Sequence, residues 1–197
     1  MVPQNLLLSD SVVFFIERVK IMKIYLIAGK AGSGKSEVAR YIKEYYIYEK
    51  QETVITEYSK YLKLFAKELT DWDGNQANKP RKFLQNIGSY IRNEMAEPKL
   101  FVRRMLEDIE IYSNYVDVVV VSDVRYPIEI EEIKKEYPEA VSIYVINQFS
   151  RSKLTLEEQM HPSELALEDY TNFDYTIAND DSKTLKDKIF KLLEEEK

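Results

Sequence analysis

Residues 23 to 42 read KIYLIAGKAGSGKSEVARYI: an apolar run, a turn with three glycines, and the start of an amphipathic helix. Within it, Gly29 to Ser36 (GKAGSGKS) matches G-x-x-x-x-G-K-[ST] at every specified position, and the hydrophobic pattern changes from strand-like to helical across the turn. Each residue type has a physical role in holding a triphosphate. Gly29, Gly32 and Gly34 permit backbone conformations in which successive N–H groups of Gly29, Lys30, Ala31, Gly32, Ser33, Gly34, Lys35 and Ser36 turn inward on phosphate oxygens. Lys35 adds a movable cation at the β and γ phosphates, and the Ser36 hydroxyl is a ligand for magnesium. The helix that begins there contributes the positive end of its dipole. The loop therefore predicts binding of a nucleoside triphosphate with Mg2+, but it does not choose among transfer, hydrolysis and switching.

What surrounds the loop sets the fold class. Val116 to Val121 (VDVVVV) is a β-branched apolar run suited to a central parallel strand covered on both faces. Ile24 to Ile27, Thr53 to Tyr58, Ala140 to Ile146 and Tyr175 to Ala178 read as four further strands. Helical patterns lie between them, the clearest carrying Leu185, Ile189, Leu192 and Leu193 at one-face spacing. Strands alternating with helices predict an α/β fold with a mainly parallel sheet of about five strands. The span from 59 to 113 reads as a helical insertion, broken near TDWDGNQANKP and at Pro98, that would flank the C-terminal edge of the sheet.

A length of 197 residues suits one domain. With 34 acidic against 28 basic residues, the net charge of -6 supplies no general basic field for a nucleic acid polymer. The absence of cysteine removes disulfides, thiolate metal sites and cysteine nucleophiles, and fits a cytoplasmic protein. Residues 1 to 21 are too interrupted by polar and charged residues to span a bilayer and lack the pattern of a secretory signal, so no membrane contact is expected. They read as an N-terminal extension dispensable for chemistry, ahead of a domain from 22 to 197.

The remaining polar residues point to an acceptor. Asp123, just past the valine-rich strand, is placed to reach a magnesium ion beside Ser36, and Arg125 leaves the same sheet edge, where ligands of open α/β sheets bind. Alternatively, Asp123 caps a helix near Pro127 and Arg125 pairs with a surface acid. In KPRKFLQNIGSYIR, Arg81, Gln85, Gly88 and Arg92 form one stripe of a helix, suited to a phosphate and a base edge, or equally to a solvated face. Arg151 and Lys153 precede a helix that Thr155 and Glu158 would cap, on a segment from 147 to 170 that can act as a lid. His161, the only histidine, reads either as structural or as a base. Asn179 and Asp180 either make the turn into the last helix or border an adenine.

Together, GKAGSGKS, RKFLQNIG with Arg92, SDVRYPIEIEEI, HPSE and IANDDSKTLKDKI make the chain from residue 22 onward resemble P-loop nucleotide kinases, specifically the phage-type deoxynucleoside monophosphate kinases and their bacterial relatives. The resemblance implies a P-loop NTPase three-layer sandwich with a helical acceptor-binding insertion and a lid. It also implies γ-phosphoryl transfer from ATP to a small phosphorylated acceptor, a (deoxy)nucleoside monophosphate. By matching position, Lys35 and the loop amides would hold ATP, with Asn179 beside it, and Ser36 and Asp123 would hold magnesium. Arg81, Gln85, Arg92 and Arg125 would face the acceptor. Lys35, Arg125 and Arg151 would stabilise the transferring group, although the lid carries one Arg and one Lys where many nucleotide kinases carry several arginines. Two rival readings stay open: a kinase for a hydroxyl acceptor such as dephospho-coenzyme A or a nucleoside, and an ATP-binding switch. A homodimer is also left open.

Overall fold

The computed structural model describes residues 22–147 and 154–196. Five strands, β1 (Lys23–Ala28), β2 (Thr53–Thr56), β3 (Val118–Val124), β4 (Val141–Ile146) and β5 (Tyr175–Ala178), form one sheet in the order β2-β3-β1-β4-β5. Every pairing is parallel, with Leu26 beside Val121 on one side and Ser142 on the other. Residues of β1 alternate between two cores: Ile24, Leu26 and Ala28 pack on one face, Tyr25 and Ile27 on the other. In β3, Val119 and Val121 face the first core and Val118 and Val120 the second. A strand buried on both faces has no polar side, which is why these segments read as continuous apolar runs.

Helices cover both faces and make the predicted three layers. Helix α1 (Lys35–Tyr48) and α8 (Ser182–Glu195) close one core through Val38, Ile42, Leu185 and Ile189. Helices α2 (Lys60–Leu69), α3 (Arg81–Asn93), α4 (Leu100–Tyr112) and α5 (Pro127–Glu136) close the other through Leu62, Leu84, Met105 and Ile130. The break between α2 and α3 is pinned: Trp72 is buried in the core and its indole N–H donates to the Asn75 carbonyl at 2.8 Å. Two short helices, α6 (Leu156–Gln159) and α7 (Pro162–Leu165), precede β5, and Thr155 and Glu158 form the expected capping box.

Strand ends in β1 to β4 shift from the sequence reading, and two of the shifts shape the crevice. Strand β2 stops at Thr56 because the next amides, of Tyr58 and Ser59, turn to the Asp123 carboxylate at 2.7 and 3.1 Å. Strand β3 runs on to Val124, paired with Ala28, so Asp123 lies inside the strand. The chain then leaves β1 into α1 on one face and β3 into α5 on the other, opening a crevice at the C-terminal ends of these neighbouring strands. Among the described residues no helix is long and apolar enough to cross a membrane.

Candidate active site

The turn from β1 to α1 forms the floor of that crevice. Gly29, Gly32 and Gly34 all adopt positive φ. At two of them the need for glycine comes from behind the loop: a β-carbon on Gly29 would lie 2.5 Å from the Val145 carbonyl oxygen, and one on Gly34 would lie 2.2 Å from Asn179 Nδ2. Asn179 is buried, and its amide donates to the Ser33 carbonyl at 3.0 Å. Its side chain thus braces the loop from beneath, a role the sequence reading did not offer, and its backbone N–H extends the β4–β5 edge to the Ile146 carbonyl at 2.7 Å.

A cavity of about 620 Å3 opens above the loop, which presents Ala31, Gly32, Gly34, Lys35 and Ser36 to it. Lys35 is 8% exposed, and its ammonium donates to the Gly29 and Lys30 carbonyls, each at 2.7 Å. Burial, reinforced by the neighbouring Arg125, pushes its pKa down to about 7, against the pull of Glu164 and Asp123. The Lys30 side chain turns away to pair with Glu168.

Asp123 and Arg125 both line the cavity, as their positions on the sheet edge suggested. Asp123 accepts from the Tyr58 and Ser59 amides and, at 2.6 Å, from Ser59 Oγ, so it holds the entry to α2 and not that to α5. The α5 entry is served by Glu129, whose Oε2 accepts from the Arg125 and Tyr126 amides at 2.7 and 3.1 Å. With three of about four carboxylate lone-pair sites engaged, Asp123 retains one, and Ser36 supplies a hydroxyl at the same cavity. That sparse donor set suits Mg2+, which keeps several waters and takes most of its other ligands from phosphates.

Arg125 Nη1 donates to Glu164 Oε2 at 2.9 Å and to the Gly29 carbonyl at 3.2 Å. The same Glu164 oxygen accepts from the Ala31 N–H of the loop at 2.8 Å. One carboxylate of the HPSE motif therefore occupies a loop donor and a guanidinium together. Its neighbour His161 caps α7, accepting at Nδ1 from the Ser163 amide at 3.2 Å. The ring's Nε2 lies 2.9 Å from Ser89 Oγ on α3, and with Nδ1 accepting, Nε2 carries the proton. Burial lowers the His161 pKa, with Arg92 acting in the same direction. This turn thus joins the β1–α1 loop to α3, the second tie linking residues 72 positions apart that no local sequence signal reveals.

The stripe of Arg81, Gln85, Gly88 and Arg92 lines the cavity. The Gln85 amide donates to the Glu158 carbonyl at 3.3 Å. Arg92 lies over the rings of Phe101 and Tyr126, at 4.5 and 4.3 Å from their centroids, and pairs with Glu129 Oε1 at 3.3 Å. Glu129, only 2% exposed, is the residue that sequence reasoning missed; its sole clue was the acid in the first turn after Pro127. Burial pushes its pKa up to about 7 although Arg92 and the two amides oppose the shift. Lys63, paired with Glu57, and Lys79 complete the basic lining. Arg151 and Lys153 lie outside the described residues, as does the extension from 1 to 21.

No protein-family model and no curated protein matches the chain. Among solved structures it is similar to the APS kinase CysC of Mycobacterium tuberculosis in complex with AMPPNP and APS, at 12% identity and a TM-score of 0.48, over 88% of this chain and 98% of that one. It is similar to the shikimate kinase of Aquifex aeolicus at 16% identity and a TM-score of 0.47, over 88% and 97% of the two chains. The gluconokinase of Sinorhizobium meliloti gives 13% and 0.46, over 89% and 94%. At such identities and scores the likeness does not bear on substrate or chemistry.

Proposed function

We propose that the chain from residue 22 onward transfers the γ-phosphoryl group of ATP to a (deoxy)nucleoside monophosphate, giving ADP and a nucleoside diphosphate. The observation that carries this reading is that one cavity is lined both by the phosphate loop, through Gly34, Lys35 and Ser36, and by the α3 stripe, through Arg81 and Gln85, with Arg125 lining it as well. A hydrolase or a switch needs the first set and has no use for the second.

In the proposed reaction a phosphate oxygen of the acceptor attacks the γ-phosphorus in line. The new P–O bond forms as the β,γ-bridging bond breaks, and the electron pair leaves with ADP. The acceptor phosphate is already largely ionised at neutral pH, so no side chain has to remove a proton. The protein's part is to position and to neutralise: loop N–H groups and Lys35 on the triphosphate, Arg125 beside the loop. Magnesium, held at Ser36 and Asp123, would offset charge on the β and γ oxygens.

A hydroxyl acceptor needs a general base. Among carboxylates lining the cavity, Glu57 is paired with Lys63, Glu129 with Arg92 and Glu164 with Arg125, while Asp123 accepts from three donors around the α2 entry. A monophosphate acceptor needs none of them as a base, which supports that reading. The deciding experiment is ADP production from MgATP, in a coupled assay, against ribo- and deoxynucleoside monophosphates and dephospho-coenzyme A. Stimulation by at least one monophosphate is expected. Stimulation by dephospho-coenzyme A alone would transfer the assignment to the hydroxyl reading, and ATP binding with no stimulated turnover would favour the switch.

Glu164 provides a separate check. Its carboxylate occupies Ala31 N–H and Arg125 and places negative charge where a polyphosphate would bring more. Glu164→Gln removes that charge, and MgATP binding is expected to tighten about three- to tenfold, measured by calorimetry.

A further inference from the structure

The cations lining the cavity divide into two groups. Lys35 is held by two carbonyls, Arg125 by Glu164, Arg92 by Glu129 and Lys63 by Glu57. The side chains of Lys79 and Arg81 make no hydrogen bond and no ion pair with any described residue, although both line the same cavity. Glu57 and Asp123 act on Lys79 only through space. Burial pushes the Lys79 pKa down to about 8, and Lys63 and Arg81 push it the same way. A half-buried ammonium beside a second unpaired cation is an unfavourable arrangement unless something else brings the countercharge.

The arrangement is also held in place. Lys79 and Arg81 flank Pro80 at the entry to α3, and the Arg81 amide donates to the Lys79 carbonyl at 2.8 Å. Upstream, Trp72 anchors the connecting segment in the core. Two positive charges on a restrained backbone match a dianion better than a neutral hydroxyl group.

We propose that Lys79 and Arg81 form the anion subsite for the acceptor and bind a phosphomonoester dianion at the start of α3. This rests on the kinase reading and deepens it: Arg92 becomes a residue that holds the cavity wall, while acceptor affinity resides in Lys79 and Arg81. Lys79 carries no motif signal, since its partner is a ligand and not a neighbour in the chain.

The test is calorimetric titration of the full chain with the four deoxynucleoside 5′-monophosphates, the matching deoxynucleosides, inorganic phosphate and MgATP. The variants are Lys79→Met, Arg81→Met and Lys82→Met, the last an exposed control paired with Glu157. At least one monophosphate is expected to bind at least tenfold tighter than its deoxynucleoside. Lys79→Met and Arg81→Met should each weaken monophosphate and inorganic phosphate binding by about 10- to 100-fold, the range for a charged hydrogen bond. MgATP affinity should fall by much less than monophosphate affinity, since Lys79 acts on Lys35 only through space, and Lys82→Met should match the native chain. The Tm of Lys79→Met should not fall, because the substitution removes an unpaired charge. Unchanged monophosphate affinity in both variants overturns the subsite, as does no monophosphate binding by the native chain, or a fall in Tm with parallel loss of MgATP binding. Monophosphate binding that depends on Lys79 without any ADP production would overturn the kinase reading and leave the subsite standing. Transfer with an unchanged acceptor KM in both variants would do the reverse.

Discussion

Lys35→Met is expected to reduce MgATP turnover by at least about a hundredfold, the scale for removing one preorganised charge-stabilising donor, and at the same time to stabilise the fold. Lys35 is buried with the Gly29 and Lys30 carbonyls as its hydrogen-bond partners among the described residues, and its pKa is pushed from the ordinary 10.5 down to about 7. Between these values the unfolded chain holds a proton that the folded one has released, so stability attributable to this group rises with pH across that window. Below pH 7 the charge is buried in full and the penalty is greatest. Methionine keeps the bulk and removes the charge. The net gain, after the two lost hydrogen bonds, is about 1–2 kcal/mol, or about 3–6 °C in Tm for a domain of this size. Thermal unfolding at pH 6 and pH 9 checks this: the variant should lead by more at pH 6. A variant that melts lower than the native chain at pH 6 would show that the loop's lysine is part of its architecture. The same displacement predicts proton uptake when MgATP binds at pH 8, since phosphates favour the ammonium form.

Arg92→Ala carries the other large effect, and it falls on stability. The guanidinium lies over Phe101 and Tyr126, donates to the Gly88 carbonyl at 3.2 Å and pairs with Glu129. Its removal leaves a carboxylate that is 2% exposed with two amides and no ion-pair partner among the described residues. Breaking such a pair destabilises by about 3 kcal/mol. Glu129 already has its pKa raised to about 7 by burial, so between the ordinary 4.5 and 7 the folded state holds the extra proton and stability falls as pH rises. Without Arg92 the pKa climbs further and that window extends upward. The variant should therefore lie closer to the native chain at pH 5 than at pH 8 in urea denaturation. Arg92→Lys restores charge without the planar stack and should recover only part of the loss. A variant that kept full stability but lost acceptor affinity would return Arg92 to the acceptor site that the sequence alone proposed for it.

The difference between those two residues shows what local sequence can and cannot report. Lys35 belongs to a contiguous turn whose chemistry depends on backbone conformation over eight residues, and a pattern of glycines and one lysine records that directly. The sheet was legible for a similar reason. Burial on both faces demands continuous β-branched runs, and Val118 to Val121 and Ile24 to Ala28 supply them within single segments. The helical insertion and its break were legible from spacing and from Pro and Gly, and the stripe on α3 followed from helical geometry.

Arg92, Arg125 and Asp123 were visible as polar residues in suggestive places, but their partners were not. Glu129 lies 37 residues from Arg92, Glu164 lies 39 from Arg125, and the amides that Asp123 receives lie 64 and 65 residues away. Whether a cation is compensated by a carboxylate or left for a ligand is a property of the assembled crevice, because the attraction depends on distance and burial and not on position along the chain. The sequence by itself determined the parallel α/β sheet, the glycine-rich turn from β1 into α1 and the set of cations gathered near it. Only the tertiary structure decided which of those cations are held by the protein, through Glu129 and Glu164, and which, Lys79 and Arg81, remain without a countercharge among the described residues.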